Sequence, residues 1–275
     1  MKPIIFETTC KKMLADVYTP VGIYLRLRDR FPGSILLESS DFHVAENSFS
    51  YICVQPIAGI EVSTTEAFEF KYPNERVIRK KLNGKDAVVS ELDTFLKRFQ
   101  PSNKSEIPVS QGLFGYTTFD AVQFFEDIKL KDGKDEPNAI PLMRYRMYQY
   151  VIAINHFKDE LHLCENKVKG LETDISLIIS LIKSKDVPVF PFAATGEETS
   201  NLADEEYINI VEKGKQSCHR GDVFQIVLSR RFQQTFTGDE FNVYRALRTV
   251  NPSPYLFYFD YNDYRLIGSS PESQL

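Results

Sequence analysis

Apolar and polar residues alternate along several stretches of this chain, and the period they keep separates strands from helices. "SILLESS" (34–40) is an apolar run ending in a polar turn and predicts a short strand. "SFSYICVQP" (48–56) and "IEVSTTEAFEF" (60–70) predict two more, the first stopped by Pro56. "LMRYRMYQYVIAINH" (142–156) predicts a long strand, with "ELHLCEN" (160–166) as its hairpin partner across "FKDE". Helical spacing appears in "ELDTFLKRF" (91–99), which should stop before Pro101, and in "LETDISLIISLIKS" (171–184). Residues 10–31 mix apolar and basic positions at roughly helical spacing as far as Pro32 and Gly33, and predict a helix as well.

"SKDVPVFPFAATGEETSN" (184–201) combines prolines, a glycine and small polar residues, which marks a linker. The chain then divides into 1–185, a linker at 186–201, and 202–275. Beyond the linker, 202–222 predicts a helix with acids at its start and Lys213, Lys215, His219 and Arg220 towards its end, which complements the helix dipole. Gly221 should stop it, "VFQIVLSRRFQQTF" (223–236) should be a strand, and "EFNVYRALRTV" (240–250) a helix. In "NPSPYLFYF" (251–259), Asn251 and Ser253 each precede a proline, so 251–254 should form a stiff extended rim. Tyr255, Phe257 and Phe259 then alternate with Leu256 and Tyr258 as a strand, and "YRLIGSSPE" (264–272) adds a last strand and turn. A rigid rim carrying an aromatic suits a small flat ligand, and it is equally an ordinary strand entrance. The order of elements is that of a mixed α+β protein.

Composition narrows the function classes. Of 275 residues, 43% are apolar and 26% charged, a globular balance, and a net charge of −5 argues against a nucleic-acid face. Arg79, Lys80 and Lys81 form the longest basic run, short enough to be a solvated face. The four cysteines, Cys10, Cys53, Cys164 and Cys218, lie far apart with no CxxC pair, which argues against zinc and against a disulfide framework and fits a reducing compartment. The N-terminus turns polar after Phe6 and "ISLIISLI" (175–182) is too short to span a bilayer, so no membrane partner is expected and the cytoplasm is the default location. Phosphate-loop, dinucleotide, zinc-protease and nucleophile-elbow motifs are missing. His43, His156, His162 and His219 form no catalytic pattern, and His156 and His162 flank the expected hairpin turn as exposed polar residues.

Several blocks taken together carry a resemblance. "LLES" (36–39), "GLFGYTTFDAVQFFE" (112–126), "PLMRYRMYQYVIAINHFKDELHL" (141–163), "GDVFQIVLSRRF" (221–232), "NPSPYLFYF" and "GSSPE" (268–272) follow one another in the order found in component I of anthranilate synthase, a chorismate-utilising family. The chain resembles that family over nearly its whole length. "GDVFQ", where aminodeoxychorismate synthases tend to read "GDCYQ", and the "NPSPY" rim favour anthranilate synthase. Aminodeoxychorismate synthase component I and a catalytically inert tryptophan-binding fragment remain the alternatives.

The resemblance implies a fold of two roughly orthogonal antiparallel sheets flanked by helices. It implies addition of ammonia to chorismate at C2 with loss of the C4 hydroxyl, then elimination of pyruvate. The ammonia would come from a glutamine amidotransferase subunit, component II, and Mg2+ would hold the substrate carboxylate. The family's catalytic histidine and magnesium ligands lie in blocks after "GSSPE", whereas this sequence stops at Leu275; no catalytic or metal residue is expected in it, and a fragment or truncated product is. The "LLES" and "NPSPY" blocks resemble the segments of the family's L-tryptophan feedback site, which carries over Leu37, Glu38, Ser39, Asn251, Pro254, Tyr255 and Leu256. Ser39 offers a donor and an acceptor, while Glu38 either serves the ligand's ammonium or pairs structurally with Arg26 or Arg28. Ser48 stands where many relatives have an arginine. In "SRRF" (229–232), Arg230 and Arg231 would point to opposite faces of a strand, so at most one could face an anionic substrate; a structural ion pair is the expected role.

Overall fold

The computed structural model describes residues 2–39, 48–64, 67–81, 84, 87–128, 130 and 140–271. His43, Ser40 of the expected first strand and Glu272 of the last turn lie outside the described residues.

Two long strands run through the larger unit, β3 (Phe49–Thr64) and β8 (Met143–Asn155), paired antiparallel from Phe49↔Asn155 to Val62↔Met143. Their aromatic and β-branched residues fit a pleated, covered surface. The register shifts between Pro56 and Ala58, and Gln55 adopts a positive φ of 63°. Pro56 was expected to stop the strand, and instead lies opposite Tyr148 at the edge of a bulge, a place that tolerates a residue without an N–H. On either side of this bulge β3 takes different outer neighbours. Its first half pairs with β2 (Ile35–Ser39) and its second with β4 (Ala67–Lys71), which in turn pairs β5 (Ile78–Lys81). β8 likewise takes β7 (Phe114–Thr117) early and β9 (Glu160–Val168) late. β2 continues outward to β12 (Tyr255–Asp260) and β13 (Arg265–Ser270), and β9 to β1 (Ile4–Leu14) and β6 (Phe99–Pro101). The α+β class and its antiparallel sheets, flanked by helices, are therefore present; the sheets are two limbs of one 11-stranded ladder, with β1–β6 as a short parallel exception.

β1 corrects the reading of residues 10–31. Residues 10–14 pair with β9 rather than coil, Lys12 reaching Glu160 at 2.6 Å, and the helix α1 is confined to Pro20–Leu27. Thr19 caps it by accepting from the Gly22 N–H, and Pro20 starts it where no N–H partner is needed. Helix α2 (Ala87–Lys97) buries Val88 and Phe95 against Phe68, Phe70 and Tyr72, and α3 (Ile175–Lys183), capped by Asp174, buries Ile178 and Ile182. No helix among the described residues is long and apolar enough to cross a membrane.

The cysteine reading is also corrected. Cys10 and Cys164 face each other across β1 and β9, Cα to Cα 4.0 Å, and are joined as a disulfide. Scattering along the chain said nothing about partners that the register sets side by side.

A second compact unit comprises residues 189–246. Residues 192–200 of the expected linker form a strand, β10 (Phe192–Ser200), paired antiparallel with β11 (Phe232–Gly238) and fastened by Phe192 stacked on Phe236 at 5.4 Å. Between them runs α4 (Asp204–Arg220), closed as expected by Gly221 at φ 80°. The strand expected over 223–236 is shorter, because residues 223–231 have no ladder partner among the described residues. Tyr207 Oη donates to the Leu228 carbonyl at 3.2 Å and Asn201 Oδ1 accepts from the Arg231 N–H at 2.9 Å. Arg230 lies outside β11 and pairs with Asp204 at 2.6 Å, so the opposite-faces argument falls away while the structural ion pair stands. Helix α5 (Phe241–Val250) follows.

Reduction of the Cys10–Cys164 bond is expected to lower stability by about 2–4 kcal/mol, the usual worth of closing a long loop in the unfolded chain. Denaturant unfolding with and without reductant checks this; no difference in a sample shown by mass to be oxidised contradicts it.

Candidate functional site

The two segments singled out in sequence come together. β2 and β12 are adjacent antiparallel strands, with Tyr255 opposite Ser39, Leu256 opposite Glu38 and Phe257 opposite Leu37. Residues opposite one another in such a pair share a face, and successive residues alternate. The predicted residues therefore divide. Leu37, Ser39 and Tyr255 lie on one face with Phe257, and Glu38 and Leu256 on the other. Asn251 and Pro254 belong to the rim that enters β12.

On the first face, Tyr51 of β3 lies opposite Leu37. Phe257 lies opposite Gly268, and a Cβ there would stand 2.1 Å from the Phe257 ring; glycine lets the ring lie flat across β13. Tyr255 is exposed at 37% and Ser39 is half-buried, so this face offers an accessible phenol and hydroxyl beside an apolar floor. Ser48 donates to the Ser39 carbonyl at 3.4 Å. The rim is tied down at its start, where Ser269 Oγ donates to the Asn251 carbonyl at 2.6 Å and the Asn251 N–H bonds the Leu247 carbonyl at 2.8 Å.

On the opposite face Glu38 is buried and pairs with Arg248 of α5 at 3.0 Å. Of the two arginines expected for it, Arg26 donates to the Ser184 carbonyl and Arg28 lies 3.5 Å from Asp29. Arg248 lies more than 200 residues along the chain from Glu38, so spacing could not have shown it. His156 also belongs here, its Nε2 2.6 Å from Ser50 Oγ and its N–H bonded to the Ser48 carbonyl at 3.0 Å. Burial of the ring holds His156 below the ordinary imidazole value; Arg248 pushes the same way, and the carboxylates of Glu38 and Asp159 oppose. Sequence reasoning left His156 as an exposed turn residue, and only the hairpin register puts it next to Ser50.

No group of three or more His, Cys, Asp or Glu that could hold a metal occurs among the described residues. The magnesium implied by the resemblance finds no fitting donor set in them, and no chemical step through it is derived.

Two outcomes are expected. Arg248→Ala removes a partner from a buried carboxylate and should destabilise the chain by about 1–3 kcal/mol in urea unfolding, with Leu256→Met as a near-neutral reference. His156 has a lower value folded than its unfolded value of about 6.5, so the unfolded chain binds the proton more readily; stability is full above about pH 6.5 and falls as pH drops towards the folded value. Melting temperatures at about pH 7.5 and about pH 5.5 should differ less in His156→Asn than in the wild type; equal differences would remove His156 from the account.

The profile of the family described as chorismate binding enzyme matches residues 36–275. The anthranilate synthase component 1 of Aquifex aeolicus is 30% identical over 292 residues, covering 95% of this chain and 54% of the relative. That of Lactococcus lactis is 29% identical and is covered to 57%. The chain thus spans about half the length of the relatives it matches. Among solved structures, anthranilate synthase component I from Streptococcus pneumoniae superposes with a TM-score of 0.55 at 25% identity, covering 96% of this chain and 58% of that one. The menaquinone-specific isochorismate synthase MenF of Escherichia coli shares the fold at 12% identity, with a TM-score of 0.52. With the family profile running from Leu36 to Leu275 and the fold shared, this chain belongs to the chorismate binding enzyme family.

Proposed function

We propose that this chain is the N-terminal part of an anthranilate synthase component I, and that the end of its β2–β12 pair is a feedback site for L-tryptophan. The observation that carries the second part is the register: segments from distant parts of the chain lie side by side with Ser39 opposite Tyr255. The names of its relatives support the first part.

The ligand chemistry is accounted for by this surface. Leu37, Phe257 and Tyr255 give an indole an apolar and aromatic wall, and the proline-stiffened rim holds that wall with little entropy left to lose. Ser39 serves the amino-acid end as donor or acceptor. Glu38 points to the other face, and in this reading it positions β2 through Arg248. In the complete enzyme, chorismate would be converted to anthranilate and pyruvate with ammonia delivered by a glutamine amidotransferase subunit. Mg2+ would be held by residues outside the described ones.

The chain contains no tryptophan, so a bound L-tryptophan is the only indole in the sample. Titration of the purified chain, with fluorescence excited beyond tyrosine absorption, is expected to saturate. Loss of one hydrogen bond in Ser39→Ala should weaken binding roughly 3- to 10-fold, and loss of the wall in Tyr255→Ala about 10-fold. A folded chain that binds nothing, or binds equally after both substitutions, would overturn the feedback-site assignment.

A further inference from the structure

The bulge in β3 leaves a recess on the larger unit, away from the β2–β12 surface. It is a cavity of about 170 Å3 whose lining includes Pro56, Glu61, Glu69, Lys71, Arg146 and Asn262. That is small beside the pockets of drug-sized ligands. Its charges are unevenly matched. Glu61 is taken by Arg144 at 2.6 Å, and Arg144 also reaches Asp263 at 3.0 Å; Glu69 is taken by Arg79 at 2.9 Å. Lys71 and Arg146 have no carboxylate in ion-pair contact among the described residues. Two cations are therefore left facing one small cavity.

Arg146 is also held in place. Its guanidinium lies 4.9 Å from the centre of the Tyr261 ring, and the hydroxyl of the buried Tyr148 donates to the Gly33 carbonyl at 3.2 Å. Most of its five N–H donors remain for something else. Gly33, at φ 80°, keeps a side chain out of the space beside that guanidinium. A Cβ on Gly33 would stand 3.0 Å from Arg146 Nη1, 3.4 Å from Pro56 Cγ and 3.7 Å from Asn262 Nδ2. A guanidinium nitrogen and an amide nitrogen thus stand side by side next to Gly33, where a larger residue would press on them. Asn262 is itself fixed by a left-handed turn at φ 72°, with its N–H donating to Asp260 Oδ1 at 2.7 Å. Two neighbouring donors, one of them an arginine fork, on a cavity that a lysine also lines are the pattern that recognises an oxyanion.

We propose that Arg146, Asn262 and Lys71 form a seat for a small oxyanion, a phosphate group or a carboxylate, in the recess beside the β3 bulge. The seat is separate from the proposed tryptophan surface, and its test does not depend on that reading.

The test titrates the full chain with inorganic phosphate and, separately, with acetate, each at ionic strength matched with chloride, by calorimetry. Saturable binding of at least one probe is expected, weakened about tenfold in Arg146→Gln and severalfold in Lys71→Gln, and unchanged in Lys158→Gln. Phosphate alone binding would assign a phosphate-bearing ligand, and acetate alone a carboxylate. Should Arg146→Gln fail to fold by circular dichroism, a 15N-labelled wild-type titration decides, with shifts expected at Gly33, Lys71 and Asn262. No saturable binding by the folded wild type, binding undiminished in a folded Arg146→Gln, or shifts spread over unrelated lysines would overturn the seat.

Discussion

Because Pro56 has no N–H to donate and Gln55 turns left-handed, β3 and β8 cannot keep one register over their whole length, and one extra residue on β3 absorbs the difference. The consequences reach most of the larger unit. A bulge bends its strand and increases local twist, so the two halves of β3 meet different outer neighbours, β2 on one side and β4 on the other. One limb buries Phe68, Phe70 and Phe95, while the other gathers Ile35, Tyr148, Val151 and Phe259. The same bend opens the recess beneath Arg146. A strand that ended at Pro56, as proline alone would suggest, would leave β4 and β5 without a ladder to join.

The β2–β12 pair shows how register assigns roles that composition cannot. Glu38 and Ser39 are neighbours in sequence and lie on opposite faces of the sheet. One is buried against Arg248 and lies in the electrostatic reach of His156, and the other stands half-open beside Tyr255. A polar ligand end and an ion pair that braces the strand are thus served by consecutive residues without competing for space. Removing the carboxylate and removing the hydroxyl are consequently different experiments, though they alter adjacent positions.

Strands with strong alternation were legible. The β8–β9 hairpin, the amphipathic α3 and the helix ending at Gly221 all follow from local pattern and punctuation, because each is decided within a few residues. What was not legible depends on partners far away. Residues 10–14 have no helical or extended preference strong enough to decide for themselves, and β9 decides for them. Cys10 finds Cys164, and Glu38 finds Arg248, through registers that no spacing rule contains. Residues 223–231 show the converse: a strand-like run of Val223, Phe224, Ile226 and Val227 remains without a ladder among the described residues. The site residues were found as members of blocks, and their division between two faces emerged only once β2 and β12 were paired.

That pairing also constrains how the chain is made. β2 forms early in synthesis, whereas β12 emerges only after the whole of residues 189–246 has been translated. Until then the outer edge of β2 presents unpaired backbone groups, the kind of edge that invites pairing with another chain. β3 can shelter only one side of it. The nascent protein must therefore carry an open sheet edge from the translation of β2 until that of β12, more than 200 residues later, and β12 closes it.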